Sequence, residues 1–276
     1  MTIVEVLKLS ADYLARHGSD SSRLDAELLL AHALRMRRLD LYLKFDHPLT
    51  ESDLNAYRSL IGRRGKGEPV AYLVGHKEFM TLDFELTPGV LIPNPDTEVL
   101  VQRAVAIARE ADGPIRVADV GTGSGNIAIA IAHYAPNTVV WASDISREAL
   151  DVAGRNVARH DLGARVHLVC GDLLDPLPGE LDMVCANLPY LDPAAHLPAE
   201  VTAQPASALY AGQGGQTLVG RLLDEAPARM TPGGRVLAEI DPTIAESMEQ
   251  LAAQRFAGYR IHRDLGGHVR VLEAWS

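Results

Sequence analysis

The stretch Leu181-Asp-Met-Val-Cys-Ala-Asn-Leu-Pro-Tyr190 indicates how this chain folds. Its first six residues are mostly apolar, and such a run before a proline-containing stop is typical of a buried parallel strand followed by a loop. A second stretch, Ile115-Arg-Val-Ala-Asp-Val-Gly-Thr-Gly-Ser-Gly125, has the same plan, because an apolar run leads into a glycine loop that opens a helix. Open α/β sheets bind ligands at the carboxyl edge of their strands, so we expect these two loops to face each other there.

From residue 115 onward, strand-like and helix-like patterns alternate. Strands are predicted at residues 115–120, 138–144, 165–170, 181–186, 235–240, 258–264 and 268–275, and helices at 124–134, 146–160, 215–229 and 243–254. This alternation predicts βαβ units and a mostly parallel, Rossmann-like sheet of the α/β class. The last two strands lie too close together for a crossover connection, so we expect them to form an antiparallel hairpin.

The beginning of the chain is helical in pattern. Apolar residues recur at helical spacing in residues 3–16 and 22–36, and Thr50 with Asp53 resembles a capping box for a third helix. Alternation in residues 76–86 then predicts a β-hairpin. We therefore expect three parts: a small helical-bundle domain at 1–66, a hairpin and extended linker at 67–95, and the α/β domain at 96–276.

Composition and charge narrow the possible functions. Hydrophobic residues make up 47% of the chain and charged residues 22%, which is an ordinary globular composition. The formal net charge of −10 argues against broad, charge-driven binding of nucleic acid. No basic segment precedes a long apolar stretch at the N-terminus, and no uncharged apolar run approaches ~20 residues. We expect a cytoplasmic protein without a membrane span.

The cysteines and histidines suggest no metal centre. Cys170 and Cys185 both fall in strand-like apolar runs, so we expect them to be small buried side chains without a disulfide. The ten histidines are scattered, and none pairs with another ligand at metal-binding spacing. We expect no metal.

The glycine loop is a candidate cofactor site. Gly121, Gly123 and Gly125 allow a tight turn and a close approach of the backbone to a ligand, and Thr122 and Ser124 lie between them. The helix that follows presents free N–H groups and the positive end of its dipole. The spacing is G-x-G-x-G, and an asparagine stands where a dinucleotide fingerprint would have its third glycine, which weakens a nicotinamide interpretation.

Three acidic residues extend this candidate site. Asp144 ends the next predicted strand, at a distance from the glycines that suits hydrogen bonds to ribose hydroxyls, although it could instead cap the following helix. Asp172 could accept from an adenine amino group while Leu173 packs on the ring, or the Gly-Asp pair could form only a turn. Asp119 either orients the glycine loop or faces the sulfonium and amino-acid end of a cofactor.

The loop Asn187-Leu-Pro-Tyr190 suits the transfer of a group to a planar amine or amide. Such a nitrogen is a poor nucleophile with two N–H donors, and the Asn187 side-chain oxygen and the Leu188 carbonyl could accept one each. Pro189 stiffens the loop, and Tyr190 offers a flat face to a planar target. Holding both hydrogens points the nitrogen at an incoming group, which can contribute a substantial part of the ~7–11 kcal/mol available from orientation.

These residues together resemble class I S-adenosylmethionine-dependent amino-methyltransferases. Among these, the chain resembles the protein-(glutamine-N5) methyltransferases that modify peptide chain release factors, the HemK type. The segments that carry this closer resemblance are Glu68-Pro-Val-Ala-Tyr72, residues 79–84, Thr87-Pro-Gly-Val-Leu-Ile-Pro93, Pro95-Asp-Thr-Glu98, residues 208–215, Pro232-Gly-Gly234 and Asp264-Leu-Gly-Gly267.

The resemblance implies a reaction, a cofactor and a partner. The family methylates the side-chain amide of the glutamine in a Gly-Gly-Gln tip of release factors, with S-adenosylmethionine as the donor. Its helical N-terminal domain helps to seat the protein substrate. Carried over by position, residues 121–125 with Asp144, Asp172 and Leu173 belong to the cofactor pocket, and residues 187–190 grip the glutamine, with Asn187 near the cofactor as well.

Four positions depart from the family pattern. Leu188 replaces the first proline of Asn-Pro-Pro-Tyr, Asn94 replaces an arginine, Gln204 a glutamate, and Asp241 a glycine. These departures leave open a diverged paralogue with another Gln- or Asn-bearing target.

Three further classes remain as alternatives. An amino-methyltransferase acting on adenine N6 or guanine N2 could use the same loop on a flipped base, although the negative charge counts against it. A non-catalytic cofactor-binding protein and a nicotinamide-dependent oxidoreductase are the others.

Overall fold

The computed structural model describes residues 1–191, 194, 197–210 and 217–276. The chain divides into two compact units. The first unit comprises Met1–His76 with Leu197–Ala203, and the second comprises Lys77–His196 with Gln204–Ser276.

The described elements are twelve α-helices and nine strands, with 3-10 turns at Pro95–Thr97 and Ala226–Arg229. The helices are α1 (Ile3–Arg16), α2 (Ser22–Ala33), α3 (Arg38–Leu43), α4 (Glu51–Arg64), α5 (Val70–Val74), α6 (Glu98–Glu110), α7 (Asn126–Tyr134), α8 (Arg147–Arg159), α9 (Ala199–Thr202), α10 (Ala206–Leu209), α11 (Thr217–Glu225) and α12 (Ala245–Arg255). The strands are β1 (His76–Phe79), β2 (Leu82–Glu85), β3 (Ile115–Val120), β4 (Thr138–Asp144), β5 (Val166–Cys170), β6 (Leu181–Ala186), β7 (Met230–Glu239), β8 (Gly258–Arg263) and β9 (Val269–Trp275).

The first unit is helical, as the sequence predicts. The three predicted helices are α1, α2 and α4, whereas the short helices α3 and α5 were not anticipated. The capping box at α4 is confirmed, because Thr50 Oγ1 accepts from the Asp53 N–H at 3.2 Å and Asp53 Oδ2 accepts from the Thr50 N–H at 3.0 Å. Tyr57 lies in the core of this unit and donates to the Ala26 carbonyl at 3.1 Å.

The second unit contains a seven-stranded sheet in the order β5-β4-β3-β6-β7-β9-β8. The first five of these strands are parallel neighbours, and β9 pairs antiparallel with both β7 and β8. The α/β class and the antiparallel C-terminal hairpin are therefore confirmed. The chain leaves β3 toward β4 on one side and returns to β6 on the other, so the topological switch point lies between β3 and β6, where such sheets bind ligands.

Both faces of the sheet are covered, which explains why its central strands are continuous apolar runs. Along β6, Val184 packs into one buried cluster with α11 and α12, whereas Met183 and Cys185 pack into the other with α6 and α7. The prediction of two buried cysteines holds for Cys185 and is wrong for Cys170, which is exposed. Cys170 ends β5 at the edge of the sheet, and an edge strand has a neighbour on one side only.

The predicted β-hairpin is formed by β1 and β2. Its two turn residues, Met80 and Thr81, have φ of 49° and 60°, a conformation that side chains with a Cβ rarely adopt. Tyr134 holds this turn, because its hydroxyl donates to the Met80 carbonyl at 2.6 Å and lies 2.7 Å from Thr81 Oγ1. Among the described residues, no helix is both long enough and apolar enough to cross a membrane.

Candidate active site

The glycine loop and the Asn-Leu-Pro-Tyr loop begin side by side. Their strands, β3 and β6, pair in parallel, with Asp119 opposite Cys185 and Val120 opposite Ala186. The two loops therefore leave the same edge of the sheet at neighbouring positions. Gly121 has a φ of +72°, and a Cβ placed on it would lie 2.9 Å from Leu188 Cδ2. Only glycine fits this contact without a shift, so the two loops lie against each other at the switch point, as expected from the sequence.

Backbone hydrogen bonds shape the glycine loop. The N–H groups of Gly121 and Thr122 both donate to the Ser143 carbonyl at 2.9 Å, which fastens the loop to the end of β4. The N–H of Gly123 donates to Asp144 Oδ2, also at 2.9 Å. Gly125, with φ +83°, then leads into α7 close to Ala153 of α8, where a Cβ would contact the Ala153 methyl at 3.3 Å. These hydrogen bonds fix the loop at the N-terminal end of α7.

Asp144 uses both carboxylate oxygens within the protein. One accepts from Gly123, and the other, Oδ1, accepts from the Ser146 N–H at 2.8 Å. The cap of α8 is Ser146 itself, whose hydroxyl accepts from the Ala149 N–H at 3.2 Å. Each carboxylate oxygen has a further lone pair, so Asp144 can still accept from a diol beside the glycine loop.

Asp119 is fully buried beneath the loop. Its Oδ2 accepts from Thr122 Oγ1 at 2.6 Å and from the Ala128 N–H at 3.1 Å, whereas Oδ1 has no hydrogen-bond partner within the described residues. Burial raises the pKa of this carboxyl to about 7, against the effect of its two hydrogen bonds, and the Asp144 charge adds to the rise. Asp119 therefore orients the loop, and one buried oxygen remains for a cationic or N–H-bearing ligand.

Asp172 and Leu173 follow β5. Asp172 forms an ion pair with Arg221, with Oδ2 2.8 Å from Nη2 and both side chains nearly half exposed. Leu173 is buried with a φ of 44°, and its carbonyl accepts from Ser143 Oγ at 2.9 Å. This hydrogen bond ties the segment to the end of β4, next to the glycine loop. No local pattern in the sequence predicts the Arg221 partner.

In the Asn-Leu-Pro-Tyr loop, the Asn187 amide has a definite partner. Its Nδ2 donates to Thr97 Oγ1 at 3.0 Å, so its Oδ1 is not used by that bond. Leu188 is buried in the core and fastens the loop, and Pro189 and Tyr190 are half-buried. Burial raises the pKa of Tyr190, and the nearby carboxylate of Glu239 adds to the rise.

Two residues of this neighbourhood, Thr97 and Glu239, were missed as site residues. Thr97 is 1% exposed in the 3-10 turn before α6, and Glu239 is 3% exposed at the end of β7. Burial raises the pKa of Glu239 to about 7 and Asp96 adds to the rise, whereas the nearby hydroxyls of Thr97 and Tyr190 and the Arg270 charge oppose it. For Glu239, the available signal is an acidic residue that ends an apolar strand, as Asp144 ends β4.

Three of the four departures from the family pattern have local structural partners. Asn94 caps the 3-10 turn, with Oδ1 3.1 Å from the Asp96 nitrogen. Gln204 Oε1 accepts from the Ile92 N–H at 2.9 Å. Asp241 Oδ1 accepts from the Thr243 N–H at 2.8 Å, just before α12.

The fourth departure, Leu188, lies against Gly121 as described above. The segment 208–215 of the resemblance falls partly outside the described residues, which omit 211–216. Within the described part of the chain, no group of His, Cys, Asp or Glu side chains is arranged to hold a metal ion.

The fold and site define a class I S-adenosylmethionine-dependent methyltransferase. The defining features are the sheet order with its antiparallel C-terminal hairpin, the glycine loop at the switch point and the acidic residue at the end of β4. A methyltransferase from Pyrococcus furiosus shares the fold at a TM-score of 0.54, with 20% identity, over 78% of this chain and 98% of that one. A Thermus thermophilus 16S rRNA methyltransferase aligns at a TM-score of 0.56 and 16% identity, over 73% of this chain and 49% of that one.

Sequence comparisons narrow the class to one family. The family described as "PrmC N-terminal domain" matches residues 5–75, and the "Methyltransferase small domain" matches residues 96–254. A release factor glutamine methyltransferase of Rhodopirellula baltica is 41% identical, over 98% of this chain and 95% of that protein. One from Moorella thermoacetica is also 41% identical, over 91% and 90%. The chain belongs to the release factor glutamine methyltransferase family.

Proposed function

We propose that this protein transfers a methyl group from S-adenosylmethionine to the side-chain amide nitrogen, N5, of the glutamine in the Gly-Gly-Gln motif of peptide chain release factors. The observation that carries the proposal is the contact between Gly121 and Leu188, which joins a cofactor-type glycine loop to a loop suited to gripping an amide. Relatives that match nearly the whole chain bear the name of this activity.

The residues at the glycine loop fit S-adenosylmethionine. The loop leaves open space at Gly123, where a Cβ would have no heavy atom within 4 Å. Asp144 can accept from the ribose hydroxyls, and the Asp119 Oδ1, which has no partner among the described residues, can receive a positively charged group. Asp172 and Leu173 complete the proposed pocket on the adenine side. When bound, the cofactor supplies an activated methyl group on a sulfonium.

The Asn-Leu-Pro-Tyr loop would hold the glutamine amide. The Asn187 Oδ1 and the Leu188 carbonyl each accept one N–H of the substrate, which aims the nitrogen at the donor. Pro189 limits movement of the loop and Tyr190 packs against the flat amide. The proton can leave after the nitrogen has become cationic, so these four residues can act by positioning without a strong base.

The remaining parts of the proposal concern the roles of the domains, the protein partner and the location in the cell. We assign residues 1–66 to seating the release factor and residues 67–95 to linking this helical part to the catalytic part at 96–276. A modifier of translation factors acts where translation occurs, so the proposed location is the cytoplasm. Neither a metal ion nor a nucleic acid has a part in the proposed reaction.

The test uses S-adenosylmethionine with an isotopically labelled methyl group. Release factors of the host, and copies with Gly-Gly-Gln changed to Gly-Gly-Ala, are incubated with the protein and with its Asn187→Ala variant. We expect label only on the native factor with the native enzyme, and an unchanged cofactor dissociation constant for Asn187→Ala. Label on the Gly-Gly-Ala copy would refute the proposal that the glutamine is the methylated residue. Label on host RNA or on another protein, with none on release factors, would replace the proposed substrate.

A further inference from the structure

Helix α8 carries a fully buried polar side chain, Asn156. The other buried positions of this helix are Ala149, Val152, Ala153 and Val157, which form the apolar stripe expected of a helix packed on a sheet. An amide inside such a stripe costs free energy unless its donors and its acceptor are hydrogen-bonded. Asn156 therefore needs specific partners.

The Asn156 amide has three backbone hydrogen bonds. Its Oδ1 accepts from the Glu85 N–H at 2.8 Å, and its Nδ2 donates to the Glu85 carbonyl at 3.0 Å and to the Ser124 carbonyl at 2.9 Å. These partners fix the orientation of the amide, because a reversed amide would set its oxygen against two carbonyls and its nitrogen against an N–H. One side chain thus joins the end of β2 to the glycine loop.

The Ser124 carbonyl lies on the inner side of the glycine loop. Ser124 is 1% exposed, and no other described group donates to its carbonyl. The N–H of the same peptide unit, that of Gly125, donates to the Thr122 carbonyl at 2.8 Å. These two groups of a trans peptide point in opposite directions, so Thr122 and Asn156 hold the unit from its two sides.

The open side of the loop suits a negatively charged group. A Cβ on Gly123 would meet no heavy atom within 4 Å, so the loop is open there. The N–H groups of Asn126 and Ile127, the first two residues of α7, have no acceptor among the described residues. Such N–H groups and the positive end of the helix dipole attract anions. S-adenosylmethionine has an anionic group, the carboxylate of its amino-acid end.

We propose that Asn156 is a positioning residue of the cofactor site, which holds the Ser124 carbonyl inside the protein and so keeps the open side of the glycine loop favourable to the carboxylate end of S-adenosylmethionine. This inference rests on the proposed function in one respect, namely that the glycine loop holds this cofactor. Without Asn156, the buried Ser124 carbonyl has no donor, which is a costly state. The loop then turns this carbonyl toward its open side, where the partial negative charge of the oxygen opposes the carboxylate.

The test compares the same substitution at two asparagines. Asn156→Leu keeps a similar volume and removes all three hydrogen bonds. The matched control is Asn137→Leu, because Asn137 Nδ2 also donates to two backbone carbonyls, those of Ala108 at 2.7 Å and Gly113 at 3.1 Å. Asn137 precedes β4, whereas the glycine loop is fastened to the other end of that strand. Both variants lose stability, and only one of them touches the glycine loop.

The readout is the affinity for two ligands, measured by calorimetry on the folded proteins. S-adenosylhomocysteine has the carboxylate end, whereas methylthioadenosine has the adenosine part without it. For Asn156→Leu we expect binding of S-adenosylhomocysteine to weaken by about 10- to 100-fold and binding of methylthioadenosine to stay nearly unchanged. Asn137→Leu should leave both affinities nearly unchanged. Equal losses for the two ligands in Asn156→Leu, an unchanged affinity for S-adenosylhomocysteine, or the same selective loss in Asn137→Leu would overturn the proposal.

A second measurement uses the native protein and needs no folded variant. Coupling between two events is reciprocal, so binding of the carboxylate end must in turn stabilise the hydrogen bond between Asn156 and Ser124. Exchange of the Asn156 side-chain NH2 protons with solvent, followed by NMR, should therefore slow more with saturating S-adenosylhomocysteine than with saturating methylthioadenosine. The NH2 protons of Asn137 should respond alike to both ligands. Equal slowing at Asn156 by the two ligands would contradict the proposal.

The inference and the proposed function fail in different ways, because neither readout requires a methyl transfer. A protein that shows the expected ligand pattern and methylates no release factor would overturn the proposed function and support the role of Asn156. A protein that methylates release factors and binds S-adenosylhomocysteine equally well with Asn156→Leu would overturn the role of Asn156 and leave the proposed function intact.

Discussion

The contact between the two loops can be tested at a single glycine. Gly121→Ala would place a methyl group 2.9 Å from Leu188 Cδ2, in a backbone conformation with φ +72°. The left-handed conformation costs a residue with a Cβ roughly 1–2 kcal/mol. The overlap adds a second cost, because the end of the Leu188 side chain must shift within a buried cluster, and overpacking of a core costs roughly 1–3 kcal/mol. The expected loss of unfolding free energy is therefore about 2–5 kcal/mol.

The chain offers a matched control at Gly123. It has a φ of +55° in the same loop, but a Cβ there would have no heavy atom within 4 Å. Gly123→Ala should therefore carry the conformational cost of about 1–2 kcal/mol without the overlap. The entropy that alanine removes from the unfolded chain is the same in both variants and cancels in the comparison.

The assay is urea unfolding of the cofactor-free protein, so that no ligand clash enters the difference. We expect Gly121→Ala to be less stable than Gly123→Ala by about 1–3 kcal/mol. Adding Leu188→Ala to Gly121→Ala should destabilise by less than the sum of the single changes, because the overlap is removed. Equal stability of the two glycine variants, or additive effects in the double variant, would refute the view that the loops touch at this point.

Three further predictions concern cofactor binding, the hairpin turn and acid stability. Asp144→Ala should weaken S-adenosylmethionine binding, measured by calorimetry, by roughly 1–3 kcal/mol, the range for a lost polar contact. Tyr134→Phe should lower the free energy of unfolding by about 1 kcal/mol, because the Met80 carbonyl loses its donor. Although burial would raise the pKa of Glu273, its basic partners hold this pKa at about 2, well below 4.5, so its stabilising effect is present above pH 4.5 and is lost as pH falls toward 2.

Each of these has an outcome that would contradict it. An unchanged dissociation constant in Asp144→Ala would remove the ribose assignment. A Tyr134→Phe protein as stable as the native one would show that the turn needs no external support. For acid stability, the difference in unfolding free energy between native protein and Glu273→Gln should shrink between pH 4.5 and pH 2, since the folded protein's Glu273 becomes half protonated by the lower limit. A constant difference would mean that the ion pairs with Arg103 and Arg235 do not stabilise the fold.

The sequence predicted the sheet well because its central strands have a local signature. The bounds of β3, β4 and β6 match the predicted 115–120, 138–144 and 181–186, since a strand buried on both faces is an uninterrupted apolar run between polar loops. The short helices α3 and α5 were missed because six and five residues are too few for a helical period to stand out. Cys170 was misplaced because its run has the apolar pattern of an interior strand, whereas its exposure depends on which strand forms the edge.

The candidate site also contains features that a local sequence pattern predicts and features that only tertiary contacts decide. Local sequence was enough to single out the glycine loop, Asp144 and Asn187, because each follows a strand and carries the chemistry that a cofactor or an amide requires. The partners of these residues are remote in sequence: Arg221 for Asp172, and Thr97 for Asn187. No periodicity links such pairs.

By itself, the sequence determined the α/β class, the order of strands and helices, and the positions of the two candidate loops, because these depend on neighbouring residues and on the apolar content of short segments. Only the tertiary structure decided that Leu188 lies against Gly121, that Asp119 and Glu239 are buried, each with an oxygen that has no partner among the described residues, and that Thr97 accepts from Asn187. The physical reason is that burial and hydrogen-bond polarity depend on which strands become neighbours in the sheet, and that choice brings together residues far apart in the chain.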